Sequence, residues 1–136
     1  MSSIYHSGLV MNKRLLQLAI IIFGFVPVLA GGYGVINGVN LFDNTAQPSS
    51  DLTNHFRYLS GLLLGVGLLF WSFIPRIESK SIQIQTLAII VFIGGLARLS
   101  GTLLHGELTP SIAFALCMEL IVTPMIWWWH RRLFNS

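Results

Sequence analysis

Three ionisable side chains stand inside stretches that are otherwise apolar: Arg57, Arg98 and Glu119. Arg98 interrupts Leu87–Leu104, which reads LAIIVFIGGLARLSGTLL. A guanidinium in such a stretch must pair, reach water or carry a function. Glu119 is the only acid inside a later apolar run, which makes it the partner candidate. Three chemistries are open to this set. An Arg98–Glu119 ion pair could simply tie two helices together, since unpaired ions in hydrocarbon cost several kcal/mol. Two arginines facing one glutamate leave a positive charge over, unless Asp51 or Glu107 neutralises it. That surplus suits an anion: a phospholipid phosphate, a fatty-acid carboxylate or a small solute. Glu119 with Arg98 could also line a path for a proton or small ion.

The remaining reactive residue types add little. His55 and His105 could in principle hold a haem or a metal. Their spacing matches no metal motif, so no metal and no cofactor is expected, and a haem-bearing redox subunit stays a distant alternative. His6 reads as a solvated side chain. Cys117 is the single cysteine, excludes a disulfide within the chain, and reads as a small buried apolar residue. No nucleophile with a base beside it, phosphate-binding loop or paired-carboxylate site is recognisable. The reading is therefore a non-enzymatic protein.

The elements that must position these groups follow from composition. The chain has 136 residues, 54% hydrophobic and only 10% charged. Soluble domains average about 25% charged. Lipid must therefore be the solvent. Four apolar spans are expected, at about 15–36, 54–74, 82–104 and 110–130, each long enough for a hydrocarbon core of about 30 Å. The first is too long for a signal-peptide core and should stay as a helix kinked at Pro27. Residues 1–12 read as a loose polar tail. The loop from Asn37 to Thr53 carries Asp43, Asp51 and the turn formers Asn44, Pro48, Ser49 and Ser50. Within it, residues 39–42 could form a short interfacial turn. Ser50, Asp51 or Thr53 could cap the second span, and Pro75 should stop it. Thr109 before Pro110 is a specific start signal for the fourth.

Charge sets the orientation. Six of the eight basic residues form three clusters beside the spans: Lys13 with Arg14, Arg76 with Lys80, and Arg131 with Arg132. All three fall on one side if the chain crosses four times. The opposite loops have no Lys or Arg, so both termini and the connector 75–81 are expected in the cytoplasm. Trp71 and Trp127–Trp129 fit interfacial anchors. The clusters read as anchoring and leave no basic surface for a nucleic-acid backbone. The expectation is one all-α domain, a four-span bundle over residues 1–136.

With that topology, Arg57, Arg98 and Glu119 lie roughly 5, 9 and 13 Å below the outer ends of their helices. All three fall in the outer half of the membrane. Helical spacing puts Asn54, Arg57, Tyr58, Gly61 and Gly65 near one face. Small residues at Ala30, Gly34 and Gly38 form one smooth face, Gly61 with Gly65 a second, and Gly94 with Gly101 a third. Such faces let helices approach closely.

The run Asn54–Gly61 (NHFRYLSG) with Gly65, Gly67, Leu68 and Leu69, then Gly94–Ser100 (GGLARLS), then Glu119-Leu with Pro124, resembles a bacterial family of small four-helix inner-membrane proteins whose domain is of unknown function. The resemblance covers roughly residues 54–132. It implies Asn54, Arg57, Arg98 and Glu119 as the marked positions. It further implies a trimeric protein linked to cell-envelope integrity, and it brings no activity. A bundle this small, with two arginines and many glycine faces, is itself expected to self-associate. The partners expected are membrane lipid and further copies of the chain.

Overall fold

The computed structural model describes residues 2–41 and 49–134, and the side chains within them from Val10 to Val39 and from Ser49 on. The side chain of His6 and residues Phe42, Asp43, Asn44 and Pro48 lie outside the described residues. Everything described is helix or turn. Four helical stretches are long and apolar enough to cross a membrane. They comprise α1 (Ser2–Asn37), α2 (Ser50–Phe73), α3 (Ser81–His105), and a last stretch built from α4 (Pro110–Cys117), a π turn (Met118–Val122) and α5 (Thr123–Phe134).

Helix boundaries follow local chemistry. α1 begins at Ser2, so residues 2–12 are helical rather than a loose tail. That segment has no proline, and its single Gly8 costs only about 1 kcal/mol in a helix. α1 runs through Pro27 and ends in a 3-10 turn, Gly38–Leu41, entered by Gly38 at φ +63°. Ser49 caps α2, its hydroxyl accepting from the Leu52 N–H at 3.2 Å; Ser50 and Asp51 instead form the first turn. The cap sits one residue earlier than the first candidate because the carboxylate of Asp51 already suits the positive end of the helix. Pro75 follows the C-cap Ile74, and the chain continues as a 3-10 stretch, Ile74–Ser79. α3 closes on Gly106 at φ +72°, whose N–H returns to the Thr102 carbonyl. The Thr109 hydroxyl accepts from the Ile112 N–H at 3.3 Å, with Pro110 at the first position.

The chain divides into two compact units. The central unit is Ile21–Ile74 and pairs the second part of α1 with α2. Its seam is closely packed. A Cβ at Gly31 would stand 2.5 Å from the Leu64 nitrogen, and one at Gly34 would run into the Ser60 hydroxyl. Gly67 fits against Val28 and Pro27, and Gly24 lies under the Trp71 indole. Trp71 also donates Nε1–H to the Ile21 carbonyl at 3.2 Å and meets Phe25 edge-on at 4.8 Å. Along α1 the contacts come at 24, 27/28, 31, 34/35 and 38. That is the 3.5-residue period of two helices wrapped on each other.

The terminal unit is Met1–Ile20 with Pro75–Ser136. It holds the six buried hydrophobic side chains found among the described residues: Leu16, Ile20, Ile77, Ile84, Leu87 and Ala88. Outside that small core, large apolar side chains are exposed along every span, among them Ile22, Leu29, Leu62, Ile93, Leu103 and Phe114. The folded chain thus leaves extensive apolar surface exposed along its helices. Hydroxyls in the spans bond back to their own helix: Ser72 to the Leu69 carbonyl, Thr86 to Ile82, Ser100 to Ala97 and Thr102 to Arg98. That is how a polar side chain is satisfied without water.

Candidate functional site

The π turn positions Glu119, and two adjacent residues explain it. Pro124 has no N–H for the carbonyl four residues back, and its ring crowds that carbonyl. The helix widens instead. The Thr123 N–H reaches the Met118 carbonyl, five residues back, and the Thr123 hydroxyl donates to the same oxygen at 2.8 Å. π turns of this kind recur at functional sites.

The widened turn lies against α3 at Gly95. A Cβ there would stand 2.7 Å from Leu120 Cδ2 and 2.8 Å from Glu119 Cβ. Glycine is what allows the approach. One turn further along α3, Arg98 closes a fork on the carboxylate. Its Nε donates to Glu119 Oε2 at 3.0 Å and its Nη2 to Oε1 at 2.9 Å. Two parallel charge-assisted bonds are the strongest geometry open to this pair. Arg98 lies seven residues before the end of α3 at His105, about 10 Å along the helix. The Glu119 side chain is 16% exposed, but that of Arg98 is 42% exposed. The fork uses Nε and Nη2, so the outer edge of the guanidinium, Nη1, faces away from the pair.

Arg57 belongs to the central unit, where its guanidinium lies beside Gly38; a Cβ on that glycine would stand 3.3 Å from Nε. Asn54 and Tyr58 are exposed on the same face of α2, turned away from the seam that Phe56, Ser60 and Leu64 make with α1. Of the small residues singled out above, Gly34 packs in that seam and Gly38 forms the turn, while Ala30 is exposed. Gly61 meets only Val35, at 3.9 Å, and nothing stands within 4 Å of a Cβ at Gly65, Gly94 or Gly101. Within the chain, close approach falls to Gly24, Gly31, Gly34, Gly67 and Gly95. His55 and His105 each direct Nδ1 at the carbonyl four residues back in their own helix, Asp51 at 3.0 Å and Gly101 at 2.9 Å. Cys117 is exposed rather than buried, because α4 packs on little of the chain and turns that face outward.

Sequence reasoning missed a second polar knot in the terminal unit. His130 is almost fully buried, donates Nε2–H to the Ile77 carbonyl at 2.7 Å, and packs on Phe134 at 5.0 Å. Lys13 meets Glu78 at 2.7 Å. Glu78 lies past Pro75, in the connector, and the Lys13 ammonium holds its carboxyl below the usual carboxylate value. A depressed value means that the pair stabilises above the unfolded-state pKa and is lost as pH falls through the folded one. Both side chains are partly exposed, so the contribution is small. His130 stands in the sequence as one more member of a basic flank, and only its position one turn after Trp127 hints at burial.

Comparison with curated proteins and with solved structures found no match. Comparison with family models did. The family described as Domain of unknown function (DUF4345) matches residues 15–130. That stretch takes in both partners of the Arg98–Glu119 fork, the π turn and the greater part of all four apolar helices, and the protein belongs to the DUF4345 family.

Proposed function

We propose that the protein is a multi-pass, non-enzymatic protein of a bacterial inner membrane that binds the anionic group of a lipid, or another anion, at the Arg98–Glu119 fork. The termini lie in the cytoplasm, and the fork lies in the outer leaflet. One observation carries this reading: Arg98 spends Nε and Nη2 on Glu119 and still has a 42% exposed side chain inside an apolar helix. Alkyl chains cannot accept its remaining N–H groups, whereas a phosphate or carboxylate oxygen can. Arg57, exposed on α2, is a second cation for the same class of ligand. The exposed face around Gly94, Ala97 and Gly101 supports association with further copies, for which a trimer is the favoured form, and a role in cell-envelope integrity is consistent with a lipid-binding scaffold.

Mass spectrometry of the purified protein tests this directly. Co-purifying anionic lipid is expected, and an Arg57→Gln, Arg98→Gln double variant should retain less of it. Equal lipid retention by that variant overturns the proposal. A second reading has one observation in its favour, the π turn at Glu119. If Glu119 lines a path for a proton or small ion, flux in liposomes should fall with Glu119→Gln; unchanged flux ends that reading.

A further inference from the structure

The terminal unit gathers charge at one end. The Lys13–Glu78 pair joins the first basic cluster to the second, and the bond from His130 to the Ile77 carbonyl joins the third to the second. Six cations, Lys13, Arg14, Arg76, Lys80, Arg131 and Arg132, therefore share this end, among the described residues, with one acidic side chain, Glu78, which is already engaged by Lys13. Arg14, Arg76, Arg131 and Arg132 are exposed, and none makes an ion pair among the described residues.

Two of these arginines are held in place. Arg132 lies over the Trp128 ring at 4.1 Å and Arg131 over Trp127 at 5.9 Å. A guanidinium on an aromatic face keeps its N–H edge open for a planar, two-pronged acceptor. Trp128 itself is half exposed, and indoles settle at the level of lipid headgroups. The phosphodiester of a phospholipid lies at that level, the level of the Trp127 and Trp128 rings that carry the two forks.

We propose that this end of the terminal unit is a binding surface for anionic phospholipid headgroups, with Arg131 and Arg132 each presenting a fork to a phosphate and Arg14 and Arg76 supplying the surrounding positive field. A bilayer lipid is favoured over a soluble acidic partner because the same helical turn presents the indoles that lie in the interface. The inference rests on the membrane reading above but not on the anion at Arg98.

The test places the full chain in nanodiscs of phosphatidylcholine with and without phosphatidylglycerol, and counts retained lipid by native mass spectrometry. Wild type should prefer phosphatidylglycerol. Arg131→Gln with Arg132→Gln should lower that preference by roughly five-fold per arginine. The Arg131→Lys, Arg132→Lys pair keeps the charge without the fork and should recover part of it. Arg98→Gln should remove a different lipid, leaving the loss at Arg131 and Arg132 additive. Unchanged preference in the glutamine pair overturns the inference while leaving the Arg98 site standing. Competition by inorganic phosphate or by polyglutamate at equal charge also overturns it, in favour of a soluble ligand. A chain that does not enter the disc overturns the membrane reading and this surface together.

Discussion

At the scale of single residues, the fork between Arg98 and Glu119 is a matter of unequal costs. Removing one partner leaves an ion without its counter-charge on an apolar helix, whereas replacing both by apolar side chains removes the problem. Glu119→Gln is therefore expected to lower unfolding stability by about 2–4 kcal/mol in mild detergent. The Arg98→Met, Glu119→Leu pair should recover most of that loss while abolishing lipid retention at the site. Thermal unfolding of wild type, Arg98→Met, Glu119→Leu and the pair, as a double-mutant cycle, reads the coupling; additive effects would show that the fork carries no energy. Neighbouring glycines make a second contrast. Gly95 meets Glu119 Cβ and Leu120, while Gly94 meets nothing within 4 Å. Gly95→Ala should cost about 1–3 kcal/mol through overpacking. Gly94→Ala should leave the isolated chain as stable or more so, since alanine is the better helix former by about 1 kcal/mol. Equal destabilisation by both changes would put Gly94 in a contact between copies.

At the scale of the helix, Pro124 is the residue that makes the site. Pro124→Ala restores the missing N–H and permits a regular α-helix through residues 118–122. Each residue would then turn by 100° on a 3.6-residue helix, and Glu119 would no longer face Gly95 squarely. The expected result is a loss of coupling between Arg98 and Glu119, even where Pro124→Ala raises helix content by circular dichroism. Coupling that survives this change would show that the wide turn is incidental. Here the limits of sequence reading are physical. The spans, the Thr109–Pro110 start and the Arg98–Glu119 partnership were legible, because hydropathy, capping and the lack of any other acid in the apolar runs each leave few choices. The π turn was not, although Thr123-Pro124 deep inside an apolar run is its signal. The packing face of α1 was read from residues 30, 34 and 38, four apart. Of these, Gly34 and Gly38 meet α2 while Ala30 does not, and Gly24 and Gly31 join them, because wrapped helices repeat at 3.5 residues and a strict four-residue stripe drifts off the contact. His130 was hidden because little beyond its position one turn after Trp127 distinguishes it from a basic flank. Its partner is the Ile77 carbonyl, 53 residues away.

At the scale of the whole molecule, contacts as well as composition gather the basic residues at one end of the terminal unit. In the terminal unit, Lys13, Glu78, Ile77 and His130 are tied together, so the first helix, the connector and the C-terminal helix present one end in common. The turn at Gly106 lies at the far end of α3, whose 25 residues span about 38 Å. That length exceeds a hydrocarbon core of about 30 Å, so a bilayer fitted to α3 leaves the basic end in one aqueous phase and the Gly106 turn in the other. The prediction follows in a Cys117→Ser background, which removes the exposed native thiol. Cysteines placed at Ser79 and at Glu107, one at each end of α3, should react with a membrane-impermeant maleimide from opposite sides. In intact spheroplasts Glu107→Cys should label and Ser79→Cys should not. In inverted vesicles the two should exchange. Labelling of both from one side would mean that α3 does not cross. Ser79→Cys reacting only from outside would mean that the basic end faces the wrong compartment, and the outer-leaflet position assigned to the Arg98 fork would fall with it.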